Sequence, residues 1–215
     1  MKRWVFLTLL MGFAAGGCSE AQNRTTGVYL LLDTSATDAI VRHKAQSAVN
    51  FFLGILQPQD TLALAGIATG SFSEKDIVVK TTFNRRPSVA NQQKRAFQKK
   101  AAHWLAEVKG SADTDISGGI LQAIEYLNHA KAGRKVILIF SDLKEERARG
   151  RETDVGFQLS DFSVIVLNPA TSRPEIRTVA NAIERIERWR ARIESGDGTW
   201  RLIEDTQDID TLFPR

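Results

Sequence analysis

Five oxygen-bearing side chains lie where apolar segments of the sequence end or where a helix begins. They are Asp33, Ser35, Thr37, Thr114 and Asp142. The first three follow the apolar run 28–32, Asp142 comes two positions after the apolar run 136–140, and Thr114 lies in the polar segment 109–119. Carboxylate and hydroxyl oxygens, with no sulfur or imidazole among them, are ligands for hard cations such as Mg²⁺, Mn²⁺ or Ca²⁺.

The elements around these residues predict a doubly wound α/β domain. The run 28–32 is short, uninterrupted and bounded by Gly27, which is typical of a strand buried on both faces. We predict further strands at 61–68, 76–83, 135–140, 162–167 and 199–203, and helices at 38–56, 89–108, 120–130 and 174–193. This alternation favours a mostly parallel central sheet with helices on both faces.

Two consequences of that architecture concern the candidate site. The short connection between 61–68 and 76–83 predicts an antiparallel hairpin, and therefore one antiparallel strand at an edge of the sheet. The carboxyl ends of the parallel strands lie side by side along one edge of the sheet, and this is the edge at which open α/β sheets bind ligands. We therefore expect Asp33, Ser35, Thr37, Thr114 and Asp142 to converge there, although Thr114 or Ser117, taken alone, is typical of a helix cap.

The amino terminus has the pattern of an export signal. Lys2 and Arg3 precede an apolar stretch of about ten residues, half the length of a membrane-spanning helix. Small residues then lead to Cys18, and the segment 15–18 resembles the lipobox of bacterial lipoproteins. That resemblance implies a signal peptide at 1–17, lipidation of Cys18, a short tether at 18–26 and a domain at 27–215.

Two residues beside the cysteine qualify this prediction. Ala15 stands where leucine is commonest in lipoboxes, so an ordinary signal peptide remains the alternative. Ser19 follows Cys18 in place of aspartate, which by the same resemblance favours the outer membrane if the source is a diderm bacterium. The expected location is the cell envelope, on the periplasmic face.

Composition excludes several other classes of protein. The chain has 215 residues, of which 43% are hydrophobic, as in one globular domain with a real core. Its net charge of +4 falls by two when Lys2 and Arg3 are removed, which gives no argument for a nucleic-acid partner. The single cysteine excludes an internal disulfide and a cysteine-based zinc site, and the three histidines show no metal-ligand spacing.

The helix at 89–108 carries four basic residues, which could be a patch for nucleic acid or anionic lipid. They are Lys94, Arg95, Lys99 and Lys100. We favour a solvated outer face instead, because Phe97, Ala101, Trp104 and Leu105 form a separate inward stripe on the same helix.

The motif order resembles the von Willebrand factor type A (vWA) domain and its metal-ion-dependent adhesion site. The family motif Asp-x-Ser-x-Ser corresponds to residues 33–37, with Thr37 in place of the last serine. The family threonine before a Gly-containing helix start corresponds to Thr114, and the aspartate after an apolar strand corresponds to Asp142. One departure is Leu143, since many members have glycine after that aspartate.

The resemblance implies a metal-dependent binding module. Ser35 and Thr37 would coordinate Mg²⁺ or Mn²⁺ directly, Thr114 directly or through water, and Asp33 and Asp142 would hold coordinated waters. A glutamate or aspartate from a protein partner would complete six-fold coordination. The residues offer no nucleophile or general base with an evident task, so we expect binding and no enzyme activity.

Two other functions stay open from the sequence. One is a vWA-like scaffold that assembles without metal. The other is a phosphatase like the haloacid dehalogenases, whose first strand also ends in a nucleophilic aspartate with a threonine four positions later, as Asp33 and Thr37 are placed. That family has a second aspartate two positions after the first, where this chain has Ser35.

Overall fold

The computed structural model describes most of the chain after the predicted tether. The described residues are 24–35, 39–67, 74–111, 114–145, 156–167 and 176–213. Thr37, Cys18 and the predicted signal peptide lie outside them. No helix within these ranges is both long enough and apolar enough to cross a bilayer.

Within the described ranges, six strands form one sheet. They are β1 (Thr26–Asp33), β2 (Thr61–Ile67), β3 (Ile77–Thr82), β4 (Arg134–Phe140), β5 (Phe162–Leu167) and β6 (Thr199–Ile203). Their order is β3-β2-β1-β4-β5-β6, and only β3 is antiparallel to its neighbour. The predicted α/β class, the mostly parallel sheet and the antiparallel edge strand are therefore confirmed.

Five α-helices accompany the sheet in the part of the chain that the structure describes. They are α1 (Ala39–Ile55), α2 (Pro87–Glu107), α3 (Ile116–His129), α4 (Ile176–Glu194) and α5 (Ile209–Leu212). Short 3₁₀ turns precede β3 and α5, at Glu74–Asp76 and Thr206–Asp208.

The helices divide between the two faces of the sheet because the side chains of each strand alternate. Val28, Leu30 and Leu32 of β1 face a core cluster that includes buried residues of α1, α2 and α5. Tyr29 and Leu31 face a second cluster formed with α3 and α4. A central strand covered on both sides needs apolar residues at every position, which explains the uninterrupted run in the sequence.

Three local predictions were wrong. Helix α2 begins at Pro87, two residues before the predicted start at residue 89, with Arg86 at the N-cap. Proline is favoured in the first turn, where its missing N–H is not needed. On α4, the apolar period predicts that Val179 and Ile183 face inward, but these side chains are 42% and 57% exposed.

Helix α3 begins at Ile116, four residues earlier than the pattern predicted. Its N-cap is Asp115, whose carboxylate accepts a hydrogen bond from the amide of Gly118 at 2.9 Å. Gly119 lies in the first turn, where an added Cβ would be 3.2 Å from Leu31 Cδ2 of β1. The absence of a side chain there lets the start of α3, and the preceding Thr114, approach the end of β1.

Candidate functional site

The candidate site lies at the carboxyl end of β1, where the order of strands reverses. The chain passes from β1 to β2 on one side, and β4 lies on the other. Such a switch point leaves a crevice in which open α/β sheets bind ligands. Asp33 is the last residue of β1, and the pairing of Leu32 with Phe140 brings the residue after β4, Ser141, beside it.

Hydroxyl groups from three separate segments donate hydrogen bonds to the carboxylate of Asp33. Ser35 Oγ lies 2.7 Å from Asp33 Oδ1, and the Ser35 amide reaches the same oxygen at 2.9 Å. Thr114 Oγ1 lies 3.4 Å from Oδ1, and Ser141 Oγ lies 2.6 Å from Oδ2. We call Asp33, Ser35, Thr114 and Ser141 the hydroxyl–carboxylate cluster.

The cluster is buried at its base and open on one side. Asp33 and Thr114 are each 1% exposed and Ser141 is 2% exposed, whereas Ser35 is exposed to solvent. Ionised carboxylates are rarely buried unless hydrogen-bonded or paired with positive charge. The arrangement therefore keeps a charged group at the bottom of a site that a solvent-borne ligand reaches past Ser35.

Ser141 also connects Asp33 to the following loop. Its Oγ accepts a hydrogen bond from the amide of Leu143 at 2.9 Å. Leu143 is 1% exposed and has a φ of 64°, in the left-handed region where glycine is favoured. The carbonyl of Leu143 accepts from Trp189 Nε1 of α4 at 3.1 Å. Burial of the leucine side chain and these two hydrogen bonds fix a backbone conformation that glycine would adopt without strain.

Asp142 contacts its own loop and helix α4. The structure gives no contact between its carboxylate and the hydroxyl–carboxylate cluster. Asp142 Oδ1 accepts from the amide of Lys144 at 2.9 Å, and Oδ2 lies 4.0 Å from a terminal nitrogen of Arg185. Arg185 Nε also donates to the carbonyl of Asp142 at 2.8 Å. A guanidinium group thus lies beside one of the two predicted acidic residues.

Backbone amides at the start of α3 donate hydrogen bonds to acidic side chains on the same edge of the sheet. Glu145 Oε1 accepts from the amide of Ser117 at 2.8 Å, beside the Asp115 cap. The hydroxyl of Ser117 accepts from Arg192 at 2.6 Å. Because Asp115 is the N-cap, neither Ser117 nor Thr114 caps the helix, although the sequence made both of them candidates. The Thr114 hydroxyl is directed to Asp33 instead.

The structure thus brings together three of the five predicted site residues, Asp33, Ser35 and Thr114. Asp142 lies next to the cluster in the chain, and Thr37 lies outside the described residues. Sequence reasoning missed Ser141. A signal for it was present in the sequence, because Asp33 and Ser141 each come directly after an apolar run. When two such runs form neighbouring parallel strands, the residues that follow them lie side by side.

The donor chemistry of the cluster fits a hard divalent cation. Every side chain in it offers oxygen, and hydroxyl groups that now donate to Asp33 have lone pairs with which to coordinate a metal. In the described part of the chain, no group of three or more His, Cys, Asp or Glu residues is placed to bind a metal. Among the described residues, the oxygen donors at this edge are therefore mostly serine and threonine hydroxyls, with fewer carboxylates.

Comparison with known proteins supports the fold. No protein-family model matches the sequence, and no curated protein matches it either. Among solved structures, a von Willebrand factor type A protein from Catenulispora acidiphila aligns over 88% of this chain and 41% of its own, with 14% identity and a TM-score of 0.51. The D319A mutant of the PilB minor pilin from Streptococcus sanguinis aligns over 88% and 60%, with 10% identity and a TM-score of 0.53.

These similarities show a vWA-like fold. The chain spans about two-fifths and three-fifths of the two matched structures, which are therefore larger than the domain described here.

Proposed function

We propose that the chain is a membrane-anchored vWA-like module that binds a protein partner through Mg²⁺ or Mn²⁺. The observation that carries this proposal is the convergence of three hydroxyl groups from separate segments on the buried carboxylate of Asp33. This aspartate lies at the switch point of the sheet, where ligands bind.

The residues would divide the coordination between them. Ser35 and Thr37 would bind the ion directly, Thr114 directly or through water, and Asp33 and Asp142 through coordinated waters. The two carboxylates would balance the charge of the divalent ion, and the hydroxyl ligands are neutral. The ion would therefore still be able to bind a third carboxylate. When bound, the metal supplies an electrophilic centre for an aspartate or glutamate of the partner.

We propose binding without catalysis. Both oxygens of Asp33 accept hydrogen bonds from hydroxyl groups, and position 35 carries serine where a haloacid-dehalogenase-like phosphatase has its acid/base. Turnover of a generic aryl phosphate, lost in Asp33→Asn, would favour that enzyme instead. A metal-free scaffold predicts that the fold and the partner interaction both persist in EDTA.

Calorimetric titration with Mg²⁺ and Mn²⁺ tests the site. Asp33→Asn keeps the shape of the side chain and removes its charge, so metal affinity should fall by more than about tenfold. Asp60→Asn is the matched control. Asp60 is also buried, but it lies at the opposite end of the sheet, where it accepts from the amides of Thr26 at 2.7 Å and Gln57 at 2.6 Å.

Asp60→Asn should cost stability and leave metal binding unchanged, because an amide cannot accept both of those hydrogen bonds. Equal metal affinity in the parent and in Asp33→Asn would contradict the proposal. A pull-down of envelope proteins in Mn²⁺ and in EDTA then tests the partner, with capture expected only in Mn²⁺ and only by chains that retain Asp33.

A second variant tests whether Asp142 faces the metal. Because the guanidinium of Arg185 lies 4.0 Å from Asp142 Oδ2, its charge opposes a cation bound nearby. At about 8 Å in a water-like dielectric, that repulsion is about 1 kcal/mol, so Arg185→Gln should strengthen Mn²⁺ binding about fivefold. No change in affinity would mean that Asp142 does not lie near the bound metal.

The anchor is tested separately at Cys18. Cys18→Ser should move the protein from the membrane fraction to the soluble envelope fraction without affecting metal binding. An unchanged membrane fraction would contradict lipidation at this residue.

A further inference from the structure

Six basic residues lie at the end of the sheet opposite the candidate metal site. They are Arg24, Arg85, Arg86, Lys131, Arg134 and Lys135, which we call the basic edge. We propose that the basic edge is a docking surface for anionic phospholipid headgroups. This inference rests on the proposed lipid anchor for its membrane partner, and its test does not depend on lipidation.

The topology places these residues side by side. The amides of Gly133 and Arg134 both donate to the carbonyl of Thr25, at 2.9 and 3.0 Å, so Arg24 adjoins the start of β4. The amide of Gln59 donates to the carbonyl of Phe83 at 2.8 Å, which brings the segment after β3 to the same end of the sheet. Basic residues beside β1, β3 and β4 thus lie along an edge that spans four neighbouring strands, a width of about 14 Å.

The charges of the basic edge point outward. Arg24, Arg85, Arg86, Lys131 and Arg134 belong to exposed positions, and Lys135 is half-buried. Of the acidic residues near this edge, Asp60 is buried and satisfied by backbone amides, whereas Asp210 of α5 is exposed three residues before Phe213. Asp161 and Asp197 lie beyond β4, before β5 and β6. The surface under β3, β2, β1 and β4 is therefore positive.

A concave region of about 1170 Å³ opens on this surface. Arg24, Arg134 and Phe213 contribute to its lining, together with amide side chains such as Asn50 and Gln57. The Arg134 guanidinium lies 4.4 Å from the centre of the Phe213 ring and donates to the carbonyl of Leu212 at 2.9 Å. These contacts fix the arginine at the rim, where phosphate groups accept its remaining donors.

Chain length identifies a membrane as the occupant. Arg24 is six residues after Cys18, and six residues span at most about 20 Å. A lipid on Cys18 therefore keeps the basic edge within that distance of the bilayer surface. Lipid anchors commonly need a second signal such as a polybasic patch for stable attachment.

The docking orientation also serves the proposed metal site. Strand β1 runs from Thr26 beside the basic edge to Asp33 in the cluster, a rise of about 23 Å. When the basic edge rests on the headgroups, the hydroxyl–carboxylate cluster faces away from the membrane toward a partner.

Vesicle co-sedimentation of the unlipidated chain from Ser19 onward tests the proposal, since this chain contains every described element. The triple variant Arg24→Ser/Arg85→Ser/Arg86→Ser removes three exposed charges from the basic edge. Its matched control, Lys99→Ser/Lys100→Ser/Lys109→Ser, removes three exposed charges from the later part of α2 and the loop after it. Thermal unfolding should show both variants folded.

We expect the parent to bind phosphatidylcholine vesicles that contain roughly one-third phosphatidylglycerol and not pure phosphatidylcholine vesicles. Each basic residue near an anionic surface strengthens binding about fivefold, so the basic-edge variant should bind roughly 100-fold more weakly. The control should bind like the parent. Salt of about 1 M should release the parent, because the Debye length falls to about 3 Å.

Three results would overturn the proposal. They are absence of parent binding to the anionic vesicles, equal binding to neutral vesicles, and an equal loss in the two triple variants. Tighter salt-sensitive binding to an acidic peptide or to nucleic acid than to vesicles would also reject a lipid partner. Asp33→Asn should bind vesicles like the parent, and the basic-edge variant should bind Mn²⁺ like the parent, so failure of one proposal is distinguishable from failure of the other.

Discussion

The substitution Ser141→Ala should destabilise the domain far more than the loss of one small side chain suggests. The Ser141 hydroxyl donates to Asp33 Oδ2 at 2.6 Å and accepts from the Leu143 amide at 2.9 Å, and the residue is 2% exposed. A hydrogen bond to a charged group contributes about 2 kcal/mol, and a buried amide left without an acceptor costs about 2 kcal/mol. The expected loss in the free energy of unfolding is therefore about 4 kcal/mol.

A double-mutant cycle separates the two contributions. In the Asp33→Asn background the partner of Ser141 is neutral, so the charge-assisted part is already lost while the Leu143 amide still needs its acceptor. Ser141→Ala should then cost about 1 kcal/mol less than in the parent. The measurement is urea unfolding of the parent, both single variants and the double variant, followed by tryptophan fluorescence and by circular dichroism.

Two outcomes would refute this reasoning. A loss below about 1 kcal/mol for Ser141→Ala would mean that water replaces the hydroxyl, and the site would be less closed than its burial indicates. Strict additivity in the cycle would mean that Ser141 and Asp33 do not interact. Ser35→Ala is the comparison variant, because its hydroxyl donates to the same carboxylate from an exposed position, and it should cost less than about 1.5 kcal/mol.

Two further predictions concern the scaffold. Gly27→Ala should lower stability by about 1–3 kcal/mol in urea unfolding, because its Cβ would lie 2.7 Å from Ala132 Cβ. Gly54→Ala should raise stability by about 0.5–1 kcal/mol, since nothing lies within 4 Å of that Cβ, and equal effects would contradict this packing. Burial raises the pKa of the Tyr29 phenol, which donates to Gln122. Above about pH 10 the unfolded chain therefore loses a proton that the folded chain keeps, and unfolding free energy should fall by about 1.4 kcal/mol per pH unit from this residue. Tyr29→Phe should show a shallower alkaline decline, and an unchanged slope would exclude Tyr29 as its source.

Several elements of the architecture followed from the sequence because they depend on local pattern. The apolar runs that became β1 and β4 have no polar residue to place on a solvent-facing side, so only a sheet covered on both faces accommodates them. The connection after β2 is too short for the crossover that parallel strands need, so it predicted an antiparallel edge strand. Asp33 was predictable as a site residue because a carboxylate directly after a buried strand lies at the ligand-binding edge.

Other features depended on contacts between distant segments. The role of Ser141 required the register of β1 against β4, and the cap of α3 required the competition among Thr114, Asp115 and Ser117 for the same amides. Val179 and Ile183 of α4 have a good helical period, yet their side chains are exposed. Periodicity indicates which face of a helix is apolar, but not how far its partner surface extends.

The sequence by itself therefore determined the fold class, the edge of the sheet that bears the candidate site and the identity of Asp33 within it. The tertiary structure decided that Ser141 contacts Asp33, that a guanidinium group accompanies Asp142, and that basic residues from three chain segments share one edge. The physical reason is that periodicity and turn chemistry act over a few residues, whereas hydrogen-bond partners and surface charge depend on strand order and register. Those are set by the packing of the whole domain.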